Sequence, residues 1–197
     1  MKWLKQYNNI NDNLLSKLSR SFYNRPTLTV AKELIGKHLY FYDCIGEIIE
    51  TEAYIGKNDP ACHACNGKTP RNKAMFGLPG YSYVYFIYGM YFCLNFVTEN
   101  DGFPAAVLIR ALKPVKGIES MKMKRNITDF NNLTSGPGKL CQALGISKKF
   151  NNIDICNNKN FYVKDCGFMI ENIKTTPRIG IKNGQDLLYR FVLDKSY

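Results

Sequence analysis

Long apolar runs are what this chain most lacks. The nearest approach, residues 81–97 (YSYVYFIYGMYFCLNFV), is 17 residues long, short of the roughly 20 that a membrane-spanning helix needs. It carries five tyrosines, where a lipid-facing span would carry Leu and Ile. The N-terminus, MKWLKQYNNINDN, has no continuous apolar segment. No secretory signal is therefore expected, and the protein reads as soluble and intracellular, with no membrane partner. Acidic residues are also scarce: 16 Asp and Glu stand against 27 Lys and Arg, a net charge of +11. Such an excess points to a polyanion, either nucleic acid or an acidic membrane surface. The membrane reading lacks a basic amphipathic helix of the needed length. Paired cysteines are missing too. Seven at irregular spacing suit free thiols in a reducing compartment. Cys62-His63-Ala64-Cys65 is one close cluster, but structural zinc takes four ligands in two paired groups. Cys44, Cys93, Cys141, Cys156 and Cys166 are scattered, so no metal is expected. No repeat or linker divides the chain. One domain over residues 1–197, with 1–20 peripheral, is long enough for a full core.

What is present centres on residues 81–97. Tyr81, Tyr83 and Tyr85 alternate with Ser82, Val84 and Phe86, the period of a strand, and aromatic residues favour strands. The pattern predicts a β-hairpin, strands 82–87 and 91–98, bent at Tyr88-Gly89-Met90. A core hairpin is the plain reading. Against it stand the many phenols, each needing a partner if buried, and a bend that leaves Tyr88 and Met90 for something to cover.

Taken in order, residues 11–23 read as a short helix, and 28–35 as a second, capped by Thr27 and closed by Gly36. Strands follow at 37–42 and 45–54. Alternation places Ile48, Glu50, Glu52 and Tyr54 on one face. Residues 55–80 read as a long loop with a helical turn near Pro60–Cys65, and loops of that length in compact domains are usually functional. A strongly apolar strand, 104–112, is interrupted by Arg110. Residues 115–125 read as a basic helix. Ser135-Gly136-Pro137-Gly138-Lys139 opens a helix over 138–144, either an ordinary cap or a phosphate-binding start. A polar loop, 146–160, leads to short strands near 161–164, 168–173, 178–181 and 188–193.

Glu52 is the best candidate for chemistry. A carboxylate on a strand beside a tyrosine cluster can be desolvated and serve as a general base; a rim glutamate paired with Lys or Arg is the plain alternative. Carboxylate strand, histidine loop, aromatic hairpin, inward arginine and basic surface together suit an enzyme that holds a flat ring and binds a polyanion. A second class, a non-catalytic nucleic-acid-binding protein with an aromatic stacking platform, sits poorly with Glu52, which repels phosphate.

Six segments carry a resemblance: ETEAY (50–54) with His63 after it, TPRN (69–72), MF (75–76), YVYFIYGMYFCLN (83–95), VLIRAL (107–112) and SGPGKLCQALGI (135–146). They closely resemble the alkyladenine (3-methyladenine) DNA glycosylase family, the mammalian-type methylpurine DNA glycosylases, from about residue 20 to the C-terminal strand. Cys62 and Cys65 depart from the family pattern. The resemblance implies a mixed α/β (α+β) domain: a curved, mainly antiparallel β-sheet flanked by helices, with a protruding hairpin. It implies a monofunctional glycosylase that flips alkylated or deaminated purines from double-stranded DNA and hydrolyses the N-glycosidic bond, leaving an abasic site. Glu52 is then the catalytic base. Tyr54, His63 and Tyr85 stack on the base, Asn95 excludes the guanine 2-amino group, and Arg110 holds the flipped nucleotide. Tyr88 is the wedge in the duplex, with Met90 and Tyr91 in the minor groove and Lys139 on phosphate. No cofactor is implied. The expected protein is a monomer, cytoplasmic or nucleoid-associated.

Overall fold

Strand alternation, repeated from segment to segment, builds the molecule. The computed structural model describes residues 16–167, 170 and 172–194. Among the described residues eight strands run β1 (His38–Phe41), β2 (Cys44–Ile55), β3 (Ser82–Ile87), β4 (Tyr91–Val97), β5 (Ala105–Lys116), β6 (Phe161–Lys164), β7 (Ile173–Thr176) and β8 (Arg190–Leu193). The sheet order is β3-β4-β5-β2-β1-β6, with β8 also on β2 and β7 on β8. Every strand pairing is antiparallel. The result is a single domain around a curved antiparallel half-barrel, mixed α/β as expected.

The two faces of the sheet differ because neighbouring residues point oppositely. Val84, Leu94, Phe96, Val107 and Ile109 enter the main core. Helices α2 (Thr27–Glu33), α3 (Ile118–Arg125) and α4 (Pro137–Leu144) contribute Val30, Met121, Leu140 and Leu144 to it. On the opposite face lie Tyr83, Tyr85, Cys93, Asn95, Leu108 and Arg110, which line a cavity. A smaller cluster of Cys62, Ala64, Met75, Val97 and Ala106 packs the long loop against that face.

Several expectations change. Of the helix expected over 11–23, residues 16–19 are not helical and 20–23 form α1 (Arg20–Tyr23); residues 11–15 lie outside the described residues. Thr27 is the first residue of α2, with Pro26 at the cap, and its hydroxyl donates to Glu99 at 2.7 Å. Residues Pro60–Cys65 form turns, and the short helical segment of that loop is a 3-10 helix at Lys73–Phe76. Strand β5 continues past Leu112 to Lys116 because β2 pairs with its whole length, delaying α3 to Ile118. The strand expected near 168–173 begins only at Ile173; residues 168, 169 and 171 lie outside the description. Residues 178–181 form a loop, not a strand. One register matters most. Against β5, Ile48 pairs with Leu112 and Glu50 with Ala111, so Ile49 is an extra residue. A bulge of this kind reverses the alternation. Ile48 therefore lies in the core with Ala53, on the face away from Glu50, Glu52 and Tyr54.

Candidate active site

Glu52 owes its position to two strand pairings, opposite Leu108 of β5 and opposite Arg190 of β8. Its side chain is wholly buried. Oε2 accepts from the Tyr54 hydroxyl at 2.8 Å and the Arg110 guanidinium at 3.3 Å. Oε1 accepts from the Ile179 backbone N–H at 2.8 Å. A carboxylate offers about four acceptor positions, so three donors leave roughly one free, on Oε1. Arg110 reaches both acids, since its Nε donates to Glu50 at 2.8 Å. Glu50 also accepts from Arg190 at 2.7 Å, and Arg190 donates to Thr176 at 3.1 Å. Burial acts to lower the Arg110 pKa, but the charges of Glu52 and Glu50 overcome it and raise the value. Burial first, then the Glu52 charge, hold the Tyr54 phenol far above its ordinary range. It therefore stays protonated and donates.

In front of this network is a cavity of about 830 Å³. Tyr54, His63, Tyr85, Asn95, Arg110, Tyr88, Tyr91 and Lys139 all line it. The His63 ring meets Tyr85 edge-on, centroids 4.5 Å apart, and its Nδ1 lies 3.0 Å from the Tyr83 hydroxyl. Burial, then the charge of Arg71, lowers the His63 pKa, which keeps the imidazole neutral near pH 7. Asn72, fully buried, holds the loop: its amide donates to the carbonyls of His63 at 2.8 Å and Gly67 at 3.0 Å. Asn95 is 3% exposed, and its amide donates to the Tyr83 carbonyl at 3.0 Å. Among the described residues, no group of three or more His, Cys, Asp or Glu is placed to hold a metal ion.

The hairpin bend stands at the cavity mouth. Met90 N–H donates to the Ile87 carbonyl at 3.3 Å, and the two residues between, Tyr88 (φ 53) and Gly89 (φ 67), are both left-handed. Primed hairpin turns require this. Glycine adopts it freely; tyrosine does so at a cost of about 1 kcal/mol or more. Tyr88 is 77% exposed and Met90 62%, so most of the strained residue's side chain faces solvent. Tyr91 lies against the start of α4, where a Cβ on Gly138 would come within 2.9 Å of its ring. Lys139 bonds to Asn132 and, at 3.3 Å, to Ser135.

Sequence reasoning missed the donor on Oε1. It belongs to the loop after β7, which was expected as a strand. It also missed Asp59 and Arg178, which hold that loop. A backbone N–H carries no residue-type signal, and only the return of the C-terminal segment to β2 reveals it.

A buried carboxylate thus lies behind an aromatic cavity that has a strained and exposed tyrosine at its mouth, an arrangement that suits an enzyme. Comparison with known proteins agrees. The family model described as methylpurine-DNA glycosylase (MPG) matches residues 21–197. The chain is 55% identical over 174 residues to a protein of Sodalis glossinidius, covering 88% of this chain and 95% of that one. It is 46% identical over 210 residues to one of Rickettsia prowazekii (strain Madrid E), covering 92% and 96%. It is 51% identical over 177 residues to one of Methanocella arvoryzae, covering 87% and 88%. All three carry the name "Putative 3-methyladenine DNA glycosylase". The chain belongs to the methylpurine-DNA glycosylase family. Its chemistry is hydrolysis of N-glycosyl bonds in DNA repair, with DNA as substrate.

Proposed function

We propose that the protein extrudes N-alkylated or deaminated purines, 3-methyladenine among them, from duplex DNA into the cavity and hydrolyses the N-glycosidic bond with Glu52 as general base. The observation that carries this reading is Glu52 itself, wholly buried yet held by Tyr54, Arg110 and the Ile179 N–H with one acceptor position left. A water on that position gives its proton to Glu52 as its oxygen bonds to the anomeric carbon. The C–N bond pair leaves with the base. A purine alkylated on N3 or N7 is already cationic, so it departs neutral and needs little acid catalysis; a neutral purine such as hypoxanthine departs with the pair as an anion and takes a proton from water. The carboxylate also stabilises oxocarbenium character on the sugar. No amine nucleophile is required, so the product is an abasic site in an intact strand.

Tyr54, His63 and Tyr85 take the extruded ring, and aromatic faces favour a cationic one by roughly 0.5–2 kcal/mol each. Removing a base from the stack costs a few kcal/mol, which Tyr88 offsets by filling the gap, with Met90 and Tyr91 beside it in the minor groove. Arg110 holds the flipped nucleotide, Lys139 a backbone phosphate, and Asn95 excludes the 2-amino group of guanine. One chain carries cavity, hairpin and base, so it acts as a monomer. Its place is with the DNA, in the cytoplasm and on the nucleoid. Among the described residues no helix is long and apolar enough to cross a membrane.

The test is a gel assay on duplexes carrying 3-methyladenine, 7-methylguanine, hypoxanthine or ethenoadenine, with alkali to cleave abasic sites. Alkali-dependent cleavage at a lesion supports the reading. Cleavage without alkali contradicts simple hydrolysis. Binding without any base release would favour the stacking platform.

A further inference from the structure

Arg178 and Asp59 form a buried ion pair that no catalytic role above uses. Both side chains are inaccessible, 0% and 1% exposed. The guanidinium forks onto the carboxylate, at 2.5 Å to Oδ2 and 2.7 Å to Oδ1. Arg178 also donates to the Ala53 carbonyl on β2 at 2.9 Å. Its plane lies over two rings, 4.7 Å from the Tyr54 centroid and 5.3 Å from that of Tyr189. Asp59 in turn accepts from the N–H groups of Ile55 and Ala61, each at 3.1 Å. The pair thus ties three pieces of chain: the end of β2, the start of the His63 loop, and the loop after β7.

All three bear on the cavity. Pro60, Ala61 and His63 form one wall, and Ile179 to Asn183 another. Arg178 itself does not line the cavity. It precedes Ile179, whose N–H holds Glu52 Oε1, and it backs Tyr54, whose hydroxyl holds Oε2. Gly184 sits close on the pair: a Cβ there would come within 3.2 Å of Arg178 and 3.3 Å of Pro60. Burying two charges is costly, and hydrophobic residues of similar volume often serve stability as well or better. Stability alone is therefore a weak reason for an ion pair here. A rigid bidentate fork fixes angles as well as distance.

We propose that Arg178 and Asp59 are positioning residues, a buried clamp that sets the two loop walls and aims both oxygens of Glu52. This rests on the reading of Glu52 as the base. The clamp acts on the chemical step and leaves DNA binding, which the hairpin and basic surface supply, nearly intact.

The experiment compares Arg178→Lys and Asp59→Asn with the parent, Glu52→Gln and Val163→Ala. Val163 is buried in the core on β6, away from the cavity. Single-turnover release of methylated purines from methylated duplex DNA is measured well below each melting temperature. Affinity for an abasic-site duplex is measured by fluorescence anisotropy. The clamp variants should lose about 30- to 100-fold in rate, the order expected when reacting groups are misplaced by near 1 Å. Their Kd should stay within about threefold of the parent, and Val163→Ala should keep the parent rate despite its own lower melting temperature. Parent-like rates in folded clamp variants would overturn the inference. So would equal losses in rate and binding, or failure of both variants to fold, which would make the pair structural. Full activity in Glu52→Gln would instead remove the underlying reading of the base.

Discussion

Replacing Glu52 by Gln is the sharpest perturbation the site allows, because it changes one oxygen to an amide and little else. Two losses follow. The first is chemical: an amide cannot take the proton of the attacking water. General-base assistance contributes about 10²- to 10⁴-fold, or roughly 2.7–5.4 kcal/mol of barrier. The second is structural. The native carboxylate accepts from three donors: Tyr54 and Arg110 on one oxygen, Ile179 N–H on the other. A glutamine offers one oxygen, so its NH2 must face a donor whichever way it turns. A buried group left unsatisfied costs about 1–3 kcal/mol, and Arg110 keeps only Glu50 as its acidic partner. The variant should therefore melt several degrees lower yet remain folded. It should bind damaged duplex within a few-fold of the parent, since the hairpin and cavity rings are untouched. Single-turnover excision on a methylated duplex, with abasic sites revealed by alkali, should fall at least a hundredfold, the low end for a lost base. Excision within a few-fold of the parent in a folded variant would refute the assignment of Glu52 and the proton path built on it.

Tyr88→Ser should change stability little, because the side chain is 77% exposed, but should slow excision from fully paired duplex more than from mismatched or single-stranded substrate, where extrusion is cheaper. An equal loss on both would show that Tyr88 is not a wedge. Asn95→Ser should raise the ratio of guanine to hypoxanthine release, since the amide is held at the cavity wall by the Tyr83 carbonyl and discriminates by its bulk. An unchanged ratio in a folded variant would leave Asn95 structural. His63 has its pKa lowered from the ordinary 6.5, so below that value the unfolded chain binds the proton more readily than the folded one. Stability should be intact above about pH 6.5 and be lost as pH falls through the lower folded value. Urea midpoints measured in His63→Gln should show a shallower acid loss than in the parent, and an identical loss would assign it to other groups.

Alternation alone made much of the fold legible. Residues 82–98 carry a period of two, and it places Tyr83, Tyr85, Cys93 and Asn95 on one face and Val84, Leu94 and Phe96 on the other, as found. Arg110 announced itself as a charge on the cavity face of an apolar strand. Hairpin, inward arginine and carboxylate strand, with their quoted motifs, were enough to mark the family. Two things lay beyond local pattern. The bulge at Ile49 reverses which face Ile48 takes, and a bulge shows only when β5 is laid beside β2. The Ile179 N–H and the Arg178–Asp59 clamp join residues 119 or more positions apart. Backbone donors have no side-chain signature, and an ion pair between distant residues exists only once the chain has closed on itself. Sequence periodicity therefore determined the hairpin with its two faces, the central strands in outline and the candidate base. Tertiary closure decided what surrounds that base, because every hydrogen bond to Glu52 except that from Tyr54 arrives from another strand or loop.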